Sequence, residues 1–159
     1  MHRITQWGEY GIHVVLYLAQ RMKDGEEIVG AVEISDSQNI ALNYTQQILL
    51  RLKTHNIVES VRGPKGGYCL CRQPHQISIQ DILIATEGDT ASVICESKKI
   101  DHENCAQDMY CSLKNVWYGL KGVINSYLSG ISVQDLLDES VPSGSLDKLV
   151  KLPVNFANS

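Results

Sequence analysis

The chain has 159 residues and a mass of 17.7 kDa, enough for one domain or one small domain with an appendage. With 43% hydrophobic and 20% charged residues, disorder is excluded as the default, and no apolar run reaches the roughly 18 residues of a membrane span. The net charge of −4 argues against a nucleic-acid binder only until it is mapped: residues 1–75 carry 8 basic and 7 acidic side chains, residues 76–159 carry 6 and 11, and residues 51–72 carry 5 against 1.

Residues 5–23 read as a helix, because Ile12, Val15, Leu16 and Ala19 recur at three- and four-residue steps. Thr5 is its expected N-cap and Asp24-Gly25 its stop. A short second helix is expected over 32–39. Asn39-Ile40-Ala41 then forms a turn, and Asn43 caps a third helix that runs to about His55. Ile48, Leu49 and Leu52 make its buried stripe, while Gln46, Gln47, Arg51 and Lys53 lie on other faces. Residues 57–62 read as a strand, Gly63-Pro64-Lys65-Gly66-Gly67 as a tight turn, and residues 68–71 as the returning strand. The expected fold is mostly α with a small β-hairpin wing, the outline of a winged helix-turn-helix.

Further on, residues 78–87 read as a helix capped by Ser78. Residues 88–111 have no clear period and hold three cysteines. Residues 112–129 read as a long amphipathic helix with Leu113, Val116, Trp117, Leu120, Val123, Ile124, Tyr127 and Leu128 on one broad face. Gly119 and Gly122 cost about 1 kcal/mol each against Ala there, which the close approach of another backbone would explain. Ser132 caps a last helix over 133–138, and the chain from 140 on reads as a loose tail. The expected organisation is a winged helix-turn-helix domain over 1–76, a cysteine loop and long helix over 77–138, and a tail over 139–159.

The five cysteines are an odd number, and the opening MHRITQWGEYG has no secretory pattern. A reducing cytoplasm, with metal or redox duty for the thiols, is the expectation. Cys95, Cys105 and Cys111 fall within 17 residues of irregular chain and can converge on an iron–sulfur cluster; zinc suits the same donors. Cys69 and Cys71 are two apart on a strand, share a face, and are expected to pack beside the wing. Glu9 and His13 are four apart and share a helix face; such pairs are usually solvated.

Asn43, Tyr44, Gln46 and Gln47 stand at the start of the third helix, where recognition helices reach base edges. Asn and Gln pair with adenine and Arg with guanine, which adds Arg51 to the candidates. Tyr44 can instead pack under the helix. Arg62 and Lys65 belong to the wing, where a guanidinium enters a minor groove and an ammonium meets phosphate.

The stretch NYTQQILLRLKTHNIVESVRGPKGGYCL resembles the DNA-binding half of the bacterial regulators typified by IscR and NsrR, the Rrf2 family, with Arg62 to Tyr68 the most specific element. The resemblance covers about residues 1–138. It implies a homodimer, with a winged helix-turn-helix in each subunit and the long helix as the dimerisation element. It also implies an iron–sulfur cluster on Cys95, Cys105 and Cys111. Nine residues separate Cys95 from Cys105, where the family commonly has five, and Lys114 stands where IscR-like members carry a histidine ligand. NsrR-like members use an acidic residue at the position of Glu9, donated from the other subunit. Members similar to RsrR use a glutamate and a histidine at the positions of Glu9 and His13. Two irons are favoured if His13 ligates; three cysteines and one oxygen ligand suit four.

The resulting expectation is a cytoplasmic, homodimeric regulator that binds double-stranded promoter DNA under the control of an iron–sulfur cluster, and is neither an enzyme nor a membrane protein. A cluster-free regulator that senses through thiols or a partner, and a zinc-bound interaction module, are the alternatives.

Overall fold

The computed structural model describes residues 5–88 and 111–141, with the side chains of 111–114 left aside. Helix α1 (Gln6–Lys23) starts at Thr5, whose hydroxyl accepts the Trp7 N–H at 3.2 Å. Its buried stripe is Gly8, Gly11, Val14, Val15, Leu18 and Ala19. This differs from the expected face, because Ile12 and Leu16 are only half buried and two glycines face inward. Cβ atoms at Gly8 and Gly11 would lie 2.7 Å from Leu83 Cδ2 and 2.5 Å from Thr86 Cγ2, so the absent side chains let another helix lie against α1.

Helix α2 (Ala31–Gln38) ends at Asn39, which adopts the left-handed conformation at φ 52°. Helix α3 (Leu42–Thr54) starts one residue beyond Ala41. The expected cap, Asn43, therefore lies inside the first turn, and Ala41 offers no side-chain cap. Ile48, Leu49 and Leu52 are fully buried. Strands β1 (Val58–Val61) and β2 (Gly67–Leu70) pair antiparallel, with Glu59 opposite Cys69 and Val61 opposite Gly67. Val29 exchanges two backbone hydrogen bonds with Tyr68, at 3.0 and 2.9 Å, and so ties the hairpin to the loop after α1. A Cβ at Gly67 would lie 2.4 Å from the Val29 carbonyl, so glycine is required for that approach.

A 3-10 turn (Pro74–Gln76) leads into α4 (Ile79–Glu87). Ser78 and Asp81 cap each other there, and Ser132 and Asp135 do the same at α6 (Val133–Leu137). Between α4 and α6 in sequence lies α5 (Cys111–Ser129). The two capped starts are joined by Ile79 N–H to Ile131 O and Val133 N–H to Ile77 O, each 2.9 Å.

One core gathers Val14, Leu18, Ile34, Ile48, Leu52, Ile57, Ile82, Leu83 and Val133, and it continues unbroken past position 76. Each such fully buried side chain contributes about 1.5–3 kcal/mol. The core fixes α3 across α1 and α4, with the hairpin beside its C-terminal end. This is the mostly helical, winged fold expected from the sequence. No helix among the described residues is long and apolar enough to cross a membrane.

Candidate nucleic-acid interface and metal ligands

The buried stripe of α3 faces the core, so its opposite face is presented outward. Asn43, Gln46 and Gln47 lie there, all exposed, with the two glutamines three and four residues after Asn43. Leu50, 64% exposed, continues the same face one turn on. Without a side-chain cap at Ala41, the first N–H groups of α3 keep their donor capacity for an anion. Arg62 and Lys65 are exposed on the hairpin, beside Gly63 at φ 120°. Lys53 bonds to Ser60 Oγ and holds the end of α3 to β1.

Tyr44 and Arg51 behave differently from the other candidates. The Tyr44 ring packs against Trp7 of α1, with centroids 5.1 Å apart and planes tilted by 49°. The Arg51 guanidinium lies over the same indole, 4.5 Å from its centroid, and donates a hydrogen bond to the Thr86 carbonyl in the last turn of α4. Both side chains are engaged within the chain, Tyr44 in the packing role weighed for it above.

Of the candidate metal ligands, Glu9 and His13 are exposed on one face of α1. Neither side chain has a hydrogen bond or ion pair among the described residues, so they do not neutralise each other. Cys111 is the first residue of α5. Cys95 and Cys105 lie outside the described residues, as does the 142–159 part of the tail. Among the described residues no group of three or more His, Cys, Asp or Glu could hold a metal ion. Glu9 and His13 alone would need further donors.

Cys69 and Cys71 are less buried than expected: Cys69 is half buried and Cys71 is exposed. The Cys69 thiol donates to Glu59 Oε1 at 3.5 Å across the hairpin. Burial, reinforced by the Glu59 carboxylate, pushes the Cys69 thiol up to about 11 and raises Cys71 as well. Both shifts favour the protonated thiol near pH 7, which makes these cysteines slow nucleophiles.

Sequence reasoning missed three residues that shape the site: Trp7, Leu50 and Glu87. Glu87 Oε1 accepts from the N–H groups of Thr5 and Gly8 at 2.7 and 3.0 Å and from the Thr5 hydroxyl at 2.9 Å. A carboxylate at a helix N-terminus satisfies orphan donors and meets the positive end of the dipole. No local pattern announces it, since Glu87 is 82 residues from Thr5.

Residues 4–139 match the family described as "Rrf2: Iron-dependent Transcriptional regulator". The HTH-type transcriptional regulator IscR of Sodalis glossinidius is 33% identical over 135 residues, 85% of this chain and 78% of that protein. The solved structure of T. potens IscR superposes with a TM-score of 0.66 at 30% identity, covering 87% of this chain and 88% of that one. The structure of CymR, the global cysteine regulator of B. subtilis, has the same fold, with a TM-score of 0.70 at 24% identity over 87% of this chain and 98% of that one. These named relatives are regulators rather than enzymes. By its family match, its relatives and its winged-helix architecture, the chain belongs to the Rrf2 family of transcriptional regulators.

Proposed function

We propose that the chain is a homodimeric promoter-binding regulator whose DNA affinity is set by an iron–sulfur cluster. The observation that supports the cluster is the face of α1 that holds Glu9 and His13: two side chains of metal-ligand type, exposed, aligned and without partners among the described residues. Cys95, Cys105 and Cys111 supply the thiolates in this reading, and Glu9 and His13 complete the set from the opposite subunit. When bound, the cluster supplies a bond set that changes with oxidation state, nitric oxide or iron supply.

The chain's own residues do the rest. Asn43, Gln46 and Gln47 meet base edges in a major groove, with Tyr44 and Arg51 at the rim of that surface. Arg62 and Lys65 hold the flanking backbone. A ligand bond from α1 of one subunit to the cysteines of the other fixes the angle between two recognition helices, and so the half-site spacing.

Dimerisation has its own support. Val116 and Leu120 of α5 are 60% and 49% exposed, and Trp117 and Tyr127 are exposed as well. Cβ atoms at Gly119 and Gly122 would meet nothing among the described residues within 4 Å. Nothing among the described residues of the subunit makes use of the glycines, and a second α5 lying close against them gives them a use.

The experiment is anaerobic purification followed by visible absorption, iron and acid-labile sulfide analysis. A brown protein with iron and sulfide in stoichiometric amounts is expected. A colourless protein with stoichiometric zinc overturns the cluster and leaves a zinc module; a colourless metal-free one leaves a thiol- or partner-sensing regulator.

A further inference from the structure

Trp7 is bracketed by two residues of α3. Tyr44 and Arg51 are seven apart, which is two helical turns and therefore one stripe. Trp7 lies along that stripe, and Arg51 reaches past it to the carbonyl of Thr86. That carbonyl is one of the last four of α4, which have no partner inside the helix. A cation there also meets the negative end of the helix dipole. The acceptor is available only while α4 ends as it does, at Glu87, with Gly88 in a glycine-only conformation at φ 86° and ψ −160°.

The same turn of α4 is locked onto α1. Glu87 caps α1, and Thr86 and Leu83 fill the space opposite Gly11 and Gly8. The first turns of α1 and the last turn of α4 thus form one body, and Arg51 and Tyr44 fasten α3 to it. The chain that follows Gly88 carries Cys95 and Cys105.

We propose that Arg51 is a positioning residue: stacked on Trp7 and bonded to the Thr86 carbonyl, it makes the seating of the DNA-reading helix α3 depend on the last turn of α4. The proposal rests on the reading that α3 binds DNA. It requires neither a cluster nor a particular signal. Anything that tightens, extends or frays the end of α4 removes the acceptor of Arg51, loosens the Trp7 stack, and changes the angle at which Asn43, Gln46 and Gln47 are presented.

Gly88→Ala probes that turn through its backbone, because the added Cβ meets no atom of the described residues within 4 Å and the positive φ is strained for any side chain. The test is a double-mutant cycle on affinity for a duplex selected from a random-sequence pool by the wild-type protein. Gly88→Ala should weaken binding by about tenfold, the size of the strain a side chain adds in that backbone region. In Arg51→Leu or Trp7→Leu chains the same substitution should change affinity by less than about twofold, because the link is already cut. In a Trp117→Phe background, emission from Trp7 should shift on Gly88→Ala without any DNA present.

An Arg51 that only neutralises phosphate predicts independent effects, with the tenfold loss intact in every background and Trp7 emission unmoved; that result overturns the proposal. So does a folded Gly88→Ala chain with wild-type affinity. If Gly88→Ala does not fold, Glu87→Gln, which weakens the other tie at that turn, takes its place in the cycle. A wild-type chain that selects no duplex overturns the DNA-reading function itself and the proposal with it, an outcome distinct from independent effects in a chain that does bind.

Discussion

Glu87 occupies the place that a side chain at Gly8 would need. Its Oε1 lies 2.3 Å from where a Cβ on Gly8 would stand and accepts the Gly8 N–H at 3.0 Å. One glycine thus serves two ends: it admits α4 against α1, and it leaves its own backbone donor open to the carboxylate. One turn further along α1, Gly11 meets Thr86 in the same way.

Gly11→Ala should therefore destabilise the fold although alanine is the better helix former. The propensity gain is about 1 kcal/mol, and forcing a methyl into a packed seam costs about 1–3 kcal/mol. The new Cβ would lie 2.5 Å from Thr86 Cγ2, and Thr86 is held by its hydroxyl bonds to Ile82 O and Leu83 O. Thr86→Ser deletes that methyl and keeps the hydroxyl, so it should recover most of the loss. Thermal or urea melts of the two single variants and the double variant check this; equal stabilities for Gly11→Ala and wild type would sink it.

The wing makes a prediction in salt. With 5 basic side chains against 1 acidic over residues 51–72, DNA affinity should fall steeply as salt rises, through counterion release. Arg62→Ala should cost roughly 1–3 kcal/mol if its guanidinium makes a groove contact. Lys65→Ala should mainly flatten the salt slope. A titration of affinity against salt concentration separates the two effects, and an Arg62→Ala chain with wild-type affinity removes Arg62 from the interface.

These elements differ in how far the sequence announces them. The caps of α4 and α6 were legible because Ser78–Asp81 and Ser132–Asp135 are local boxes. The Gly-rich wing was legible because tight turns need glycine. The buried face of α1 is not announced by apolar periodicity, because Gly8 and Gly11 carry no apolar signal and yet lie buried against α4. Asn43 has the composition of a cap, but the helix starts at Leu42 behind Ala41, which has no side chain to cap it. The candidate DNA-reading side chains Asn43, Gln46, Gln47, Arg62 and Lys65 are exposed. The engagement of Arg51 with Trp7 and Thr86 joins residues 44 and 35 positions away, which no local period can register.

The hairpin thiols make a prediction in pH. With its pKa raised to about 11, Cys69 carries its proton at pH 8, where only about one molecule in a thousand is thiolate. In a chain with the other four cysteines changed to serine, iodoacetamide should label Cys69 slowly at pH 8 and about tenfold faster for each pH unit up to roughly 11. Glu59→Gln removes the carboxylate charge opposite Cys69 and should move the profile to lower pH. A labelling midpoint near the ordinary cysteine value would show that Glu59 and burial do not hold the thiol.

Leu120→Asp tests the α5 surface. Leu120 is 49% exposed in the subunit, so a charge there should leave the internal packing of one chain intact. In a two-helix seam it would be a buried, unpaired charge. Sedimentation should show a dimer for wild type at micromolar concentration and a monomer for Leu120→Asp, with the helical circular dichroism kept. A wild-type monomer would remove the cross-subunit ligand scheme along with the dimer.

The position of Glu9 and His13 on an exposed face of α1, with Cys111 at the start of a different helix, makes the last prediction. Cys111→Ala should abolish cluster binding, because one thiolate is lost from a short list. His13→Ala should leave a cluster that is weaker or altered in spectrum, since water or another side chain can fill one position. Glu9→Gln should act similarly but more mildly, because the amide keeps an oxygen and loses the charge. A solvated pair predicts no spectral change from either α1 variant. A mixed dimer decides the geometry: one subunit lacks His13 and the other lacks Cys111. If ligands cross the dimer, both defects fall on the same one of its two sites, and the other site keeps every ligand. If ligands stay within a subunit, the defects fall on different sites and neither is complete. One normal cluster per mixed dimer is therefore the expected result. None at all would refute the cross-subunit assignment, even if His13 proves to be a ligand.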